Sequence, residues 1–480
     1  MTTASAHSTI SDVPRRALSL DALRGFAILT MVLSGVVPYG NLPAWMYHAQ
    51  LPPPAHTFTP DLPGLTWVDL VFPLFLFALG AAIPLALSRR MEKGESPLKI
   101  FYYITERGFL LGFFAIFLRH IRPHVLNPTP ENLDWFIALL GFILMFGLFA
   151  RLPGSWSIWI KIILKTMSWL GAIILLATLH YPDGTGFSLY RSDIIIVVLT
   201  NCAIFGAFLW WFTRNNLLLR LGILGILLGF RLAGGTEGWV QVIWNTSPIP
   251  WMYKLYYLQY LFIVIPGTIV GDLLLNWMHR PPETTSPEKH WESTRLISIA
   301  LLNIVFIIIL LVGLQARWLW QTTLLSLFFC ILGWFLVRRP LNASENLLRH
   351  LLGWGIYFLI LGLVFEPFEG GIKKDKSTLS YYFITTGMSV FLLITFYVLI
   401  DIWGKRRALS LLIDNGKNPM IAYVGLANFI WPIFAFTGVD TLLLRFTQTP
   451  WLGFFRGLFY TILLAYVVKI FTRRKIFWKT

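Results

Sequence analysis

His48, in Tyr47-His48-Ala49, and Asp69, in Leu65-Thr66-Trp67-Val68-Asp69-Leu70-Val71-Phe72-Pro73, flank a proline-rich excursion at the mouth of a long apolar stretch. A charge at a membrane boundary is expensive unless it has a partner or a task, so chemistry is expected here first. The chemistry open to such a pair is proton transfer or nucleophilic attack. An imidazole exchanges protons near neutral pH and can serve as base or nucleophile. A carboxylate can fix its tautomer through one ring nitrogen and leave the other free. His56, inside the same excursion, is a rival for the role.

The elements that must position this pair are membrane helices. Of 480 residues, 56% are apolar and only 13% charged, about half the charged share of a soluble domain. About fourteen apolar blocks (range 11–14) approach the ~20 residues that a helix needs to cross a bilayer. The expected fold is therefore all-α, a polytopic transmembrane helical bundle forming a single domain over residues 1–480. Residues 1–18 form a cytoplasmic tail, and residues 278–295, rich in Pro, Glu, Ser and Thr, a cytoplasmic linker between front and back helix groups.

The net charge of +16 is carried in short loops beside apolar blocks, with most basic residues in alternate loops. That pattern orients the chain, puts both termini in the cytoplasm and makes anionic lipid, not nucleic acid, the partner of the charge. The outward loop with Arg119, His120, Arg122 and His124 is the main exception. Cys202 and Cys330 lie within apolar blocks, so neither a disulfide framework nor a cysteine metal site is expected.

The first span, from about Leu20 to Pro38, opens Ser19-Leu20-Asp21-Ala22-Leu23-Arg24-Gly25. Ser19 is a candidate N-cap, and Asp21 and Arg24 share a helical face and can pair. Pro73 and Pro84 should bend or break the second span and free carbonyls that then need partners. Glu366, Glu369, Lys373, Lys374, Asp375 and Lys376 crowd one outward loop and read by spacing as a solvated charge run. Asn418, at a helix entrance in Gly416-Lys417-Asn418-Pro419, either caps that helix or donates to a substrate carbonyl.

His-Ala followed by Leu-Thr-x-x-Asp-Leu-Val-Phe-Pro resembles the signature of the membrane N-acetyltransferases typified by heparan-α-glucosaminide N-acetyltransferase. Ser-x-Asp-x-x-Arg-Gly at the first span, Gly416 to Gly425, and the closing Arg-Lys-Ile-Phe-Trp-Lys are similar to the same family. The resemblance implies a bacterial relative without the lumenal N-terminal domain, in the inner membrane. It also implies acetyl-CoA as donor, no metal, and a sugar or glycan acceptor; a homodimer is left open. By this resemblance His48 is the base or acyl carrier, Asp69 its orienting carboxylate, and Asn418 or Lys374 the oxyanion donor. Asp21 and Arg24 become structural or donor-site residues, Arg24 being placed to meet the phosphates of CoA. The chain departs from the pattern in three places. Residues 50–64 are inserted after His-Ala, Lys373 and Ser377 replace the family's Asn and Trp before Ser380-Tyr381, and Leu426-Ala427 stands where the family often has His-Glu.

Acetyl transfer to an amine or hydroxyl of an extracytoplasmic sugar is the leading expectation. A transporter of sugars or glycan intermediates is the alternative; its mark would be inverted repeats with paired broken helices, and no repeat is visible.

Overall fold

A computed structural model describes residues 16–152, 154–280 and 290–479. The expected tail and linker fall largely outside the described residues. The front group comprises α1 (Leu18–Ser34), α2 (Trp67–Glu92), α3 (Pro97–His120), α4 (Pro123–Leu126), α5 (Asn132–Phe149), α6 (Ile158–Thr178), α7 (Ile194–Thr213), α8 (Leu217–Ala233), α9 (Trp239–Trp244) and α10 (Leu261–His279). The back group comprises α11 (Ser293–Gln315), α12 (Leu319–Val337), α13 (Ala343–Phe365), α14 (Leu379–Phe396), α15 (Ser410–Lys417), α16 (Pro419–Gly425), α17 (Trp431–Thr437), α18 (Val439–Phe446) and α19 (Pro450–Arg473).

Among the described residues 12 helical segments are long and apolar enough to cross a membrane. That number lies within the expected range; α1 and α8, with 17 residues each, fall just short of that length. The protein is an all-α polytopic membrane bundle. We call outer the side of the His48 loop and inner the side on which Arg16 and Lys479 meet.

In lipid the apolar faces gain little from one another, so close packing of small residues holds such bundles together. The centre is α2, α10 and α14, the most enclosed of the spans. A Cβ on Gly80 would stand 2.2 Å from the Val264 carbonyl oxygen, and one on Gly267 2.5 Å from that of Phe77. Only glycine lets α2 and α10 cross this closely. A second crossing joins α1 to α15, a short inner helix that the sequence pattern did not suggest. There a Cβ on Gly25 would lie 1.8 Å from the Leu412 oxygen and one on Gly416 1.7 Å from that of Asp21.

One local expectation is corrected outright and a second in part. Ser19 does not cap α1, which begins at Leu18 after Ala17. Its first amides are met from afar: Leu18 N–H and Ser19 N–H donate to the Asp401 carboxylate at 3.3 and 3.1 Å. Asp401 sits in a π-helical turn, Tyr397–Ile402, that extends α14. The prolines do not break α2 either, which runs 26 residues as one helix. Pro73 has no N–H for the carbonyl four residues back, that of Asp69. The Tyr381 hydroxyl donates to that oxygen at 2.8 Å instead.

A candidate active site at the outer end of α2

The first turn of α2 sets the carboxylate. Thr66 is extended at the N-cap, and Asp69 folds back so that its Oδ2 accepts the Thr66 N–H at 3.1 Å. An acid three residues into a helix commonly satisfies the cap amide in this way. The same oxygen accepts the Ala49 N–H at 3.1 Å. Oδ1 lies 2.8 Å from His48 Nδ1. The Thr66 hydroxyl donates to the Tyr47 carbonyl at 2.7 Å and fastens the His48 segment to the helix start. Asp69 is 1% exposed, whereas a third of the His48 side chain, 34%, is open. Two backbone amides commit Oδ2, so Oδ1 is the oxygen that takes the ring N–H. Nδ1 then carries the proton, and Nε2 keeps its lone pair.

His48 lines a cavity of about 690 Å³ between the outer ends of α1, α2, α3 and α7. Lys374 lines it too, its Nζ 3.2 Å from His48 Nδ1 and 3.5 Å from Nε2. The loop bearing Lys374 is not a solvated charge run. Glu366 is buried and pairs with Arg317 at 2.6 Å. Glu369 pairs with Arg231 at 2.7 Å and also accepts the Leu379 N–H. Gln50, 3% exposed, accepts the Asp375 N–H at 2.9 Å and donates to the Asp375 carbonyl, clamping the loop beside Ala49. The arginines that bind these acids come from far along the chain, Arg231 from α8 and Arg317 from the turn between α11 and α12, so spacing within the loop could not reveal them.

The far wall of the outer cavity includes Arg119, Arg122, His124, Asp193, Tyr423 and Trp431. Leu426 and Ala427 also line it, within a π-helical turn, Leu426–Ile430, that links α16 to α17. Such turns recur at functional sites, and here the wall is apolar at that point. His56 is elsewhere. Its Nε2 lies 3.0 Å from the carbonyl oxygen and 3.2 Å from the amide nitrogen of Gly40, and its ring meets Tyr39 and Tyr47 edge-on. It pins the inserted loop.

A second cavity, about 440 Å³, opens at the inner ends of the same helices. Arg16, Arg24, Arg89, Arg107 and Lys479 line it, against a single carboxylate, Asp21. The Asp21–Arg24 pair forms as expected, at 3.7 Å, with Arg16 closer to Asp21 at 2.8 Å. Arg24 also donates to the Gly416 carbonyl at 3.2 Å, a contact that the close α1–α15 crossing allows. Burial and the nearby Arg151, Arg107, Arg16 and Arg89 pull the Lys479 ammonium below its ordinary value. So many unneutralised cations in one place favour an anionic ligand. Nothing in the spacing of Arg89 and Arg107 marks a shared cavity, and the sequence did not single them out.

Asn418 joins neither His48 nor Lys374. It is fully buried; its amide donates to the Ile476 carbonyl at 2.8 Å, and its oxygen accepts the Trp478 N–H at 3.1 Å. Its chain neighbours Pro419 and Met420 line the inner cavity, beside Trp478 and Lys479. The side chain thus secures the tail on the inner side and is not placed to serve an oxyanion beside His48. Among the described residues no three His, Cys, Asp or Glu side chains converge as a metal site.

Human heparan-alpha-glucosaminide N-acetyltransferase is 28% identical to this chain over a segment covering 36% of the chain and 28% of the relative. The mouse protein of the same name is 36% identical over 19% of the chain and 12% of its own length. The similarity thus spans under a third of either relative. A family model described as Domain of unknown function (DUF5009) matches residues 16–274. That match takes in His48, Asp69 and Arg24 and extends over more than half of the chain, which therefore belongs to this family.

Proposed function

We propose that the protein is a membrane acetyltransferase that moves an acetyl group from acetyl-CoA, bound at the inner cavity, to an amine or hydroxyl of a sugar at the outer one. The observation that carries this reading is the His48–Asp69 pair, with Nδ1 held by a buried carboxylate and the ring lining an open cavity beside Lys374. The acetyltransferase relatives support the reaction class.

His48 Nε2 would take the acceptor's proton as its nitrogen or oxygen attacks the thioester carbonyl. A C–N or C–O bond forms, the C–S bond breaks, and the departing CoA thiolate recovers the proton. In a two-step version Nε2 attacks first and carries the acetyl group briefly. Asp69 holds the tautomer in either case. The Lys374 ammonium is close enough to the ring to stabilise negative charge on the carbonyl oxygen.

Arg24, Arg89, Arg107 and Lys479 would hold the phosphates of CoA. The two cavities share α1, α2, α3 and α7. On α2 the outer wall reaches Phe72 and the inner wall begins at Phe75, about one turn apart. An acetyl group passed across that turn would let donor and acceptor occupy different sides. Basic loops orient the inner cavity toward the cytoplasm, in a bacterial cytoplasmic membrane.

The test is CoA release by purified protein given acetyl-CoA and a panel of amino sugars. Wild type should turn over and His48→Ala should lose about 10²- to 10⁴-fold or more, while His56→Ala keeps near-normal rates. Sugar uptake into vesicles without any CoA release would point to the transporter instead.

A further inference from the structure

The outer arginines run against the charge pattern that orients the chain, and the proposed chemistry does not use them. Asp193 is the carboxylate beside them, and both of its oxygens are committed. Oδ1 accepts the Ile195 and Ile196 amides at 3.1 and 3.3 Å, capping α7. Oδ2 accepts the Tyr423 hydroxyl at 3.0 Å and pairs with Arg122 at 3.2 Å. Arg119 lines the same cavity, is only partly exposed, and has neither a hydrogen bond nor an ion pair among the described residues. The Asp193 carboxylate attracts it from beyond ion-pair distance, but that carboxylate is already committed, and a guanidinium drawn partly out of water with no direct partner is unfavourable unless an anion meets it. Lys374 adds a third cation on the His48 side of the cavity.

We infer that the outer cavity contains an anion subsite centred on Arg119, with Arg122 as a fixed second cation. It takes a carboxylate or phosphate carried by the acceptor sugar. A guanidinium suits both groups because its donors match two oxygens at once. At about 690 Å³ the cavity falls in the usual range for small-ligand sites, so the anion and the reacting amine or hydroxyl can occupy it together. That the bound sugar is an acceptor rests on the acetyltransferase reading; the subsite itself does not.

The experiment titrates full-length protein in nanodiscs with glucosamine, glucosamine 6-phosphate and a glucosamine–uronic acid disaccharide, by calorimetry. At least one anionic sugar should bind about 10- to 100-fold more tightly than glucosamine, the range of a charged hydrogen bond. The larger gap tells a phosphate from a carboxylate acceptor. Arg119→Gln should close the gap without weakening glucosamine itself, and Arg119→Lys should restore part of it. Arg119 makes no hydrogen bond or ion pair that its loss would break, whereas an Arg122 variant would break the ion pair to Asp193. If Arg119→Gln does not fold, wild type in rising salt provides the same reading, since the gap should shrink as charge is screened. No gap in wild type, or a gap that persists in Arg119→Gln or at high salt, overturns the subsite. CoA release is read separately. An anionic sugar bound with the expected gap but never acetylated would leave the subsite standing and remove the acetyltransferase reading.

Discussion

Replacing Asp69 with asparagine substitutes an NH₂ for one carboxylate oxygen and should move the proton on His48 from one ring nitrogen to the other. The direction follows from the contacts. Oδ2 accepts two backbone amides, those of Thr66 and Ala49, so an asparagine must keep its oxygen there. Its NH₂ then faces His48 Nδ1, which becomes an acceptor, and the ring proton goes to Nε2. The opposite orientation would leave both amides facing an NH₂. Each buried donor so stranded costs about 1–3 kcal/mol, so the productive tautomer would lie about 2–6 kcal/mol above the unproductive one. At about 1.4 kcal/mol per decade, turnover should fall between about 30-fold and 10⁴-fold. The helix start and His48 itself remain, so acetyl-CoA affinity should change less than twofold or so. CoA release and calorimetric donor binding, measured on the same preparation, separate the two. Near-normal turnover in folded Asp69→Asn would refute the claim that the carboxylate sets the tautomer.

Arg24→Gln should weaken acetyl-CoA binding about 10- to 100-fold in a calorimetric titration, with the fold intact because Arg16 still pairs with Asp21; unchanged affinity would return Arg24 to a boundary ion pair. The depressed Lys479 gives a pH dependence of known sign. A lysine that loses its proton early stops binding phosphate early, so donor affinity should fall as pH rises below the ordinary lysine range of about 10.4, and Lys479→Gln should flatten that fall. Single cysteines at the exposed Asp61 and Arg406 test sidedness. An impermeant thiol reagent applied to intact cells should label Asp61→Cys and spare Arg406→Cys.

Much of the fold was legible because spans announce themselves by length and apolarity, and α1 and α8 fell among them despite their shortness. The His48–Asp69 pair was legible because two ionisable side chains at the mouth of an apolar span stand out in type and position, whereas the Thr66 cap that holds the carboxylate went unread. Long-range partners were not. Asn418 read as a helix-entrance amide, but Ile476 and Trp478 claim it. Ser19 read as a cap, but Asp401 does that work. The Lys374 loop read as solvated because Arg231 and Arg317 lie far away in the chain. Arg119 and Arg122 stood out only as violations of the charge pattern, a signal that marked their position without naming their task.

The proline in α2 makes two residues interdependent. Pro73 withholds an amide from the Asp69 carbonyl, and the buried Tyr381 hydroxyl fills the vacancy at 2.8 Å. Tyr381→Phe alone would orphan the carbonyl of the residue that orients His48. Pro73→Ala alone would restore the helical bond and set it in competition with the phenol. Made together, the two changes satisfy the backbone again. Substitutions at positions 73 and 381 should therefore be epistatic, and homologous chains that change one should tend to change the other.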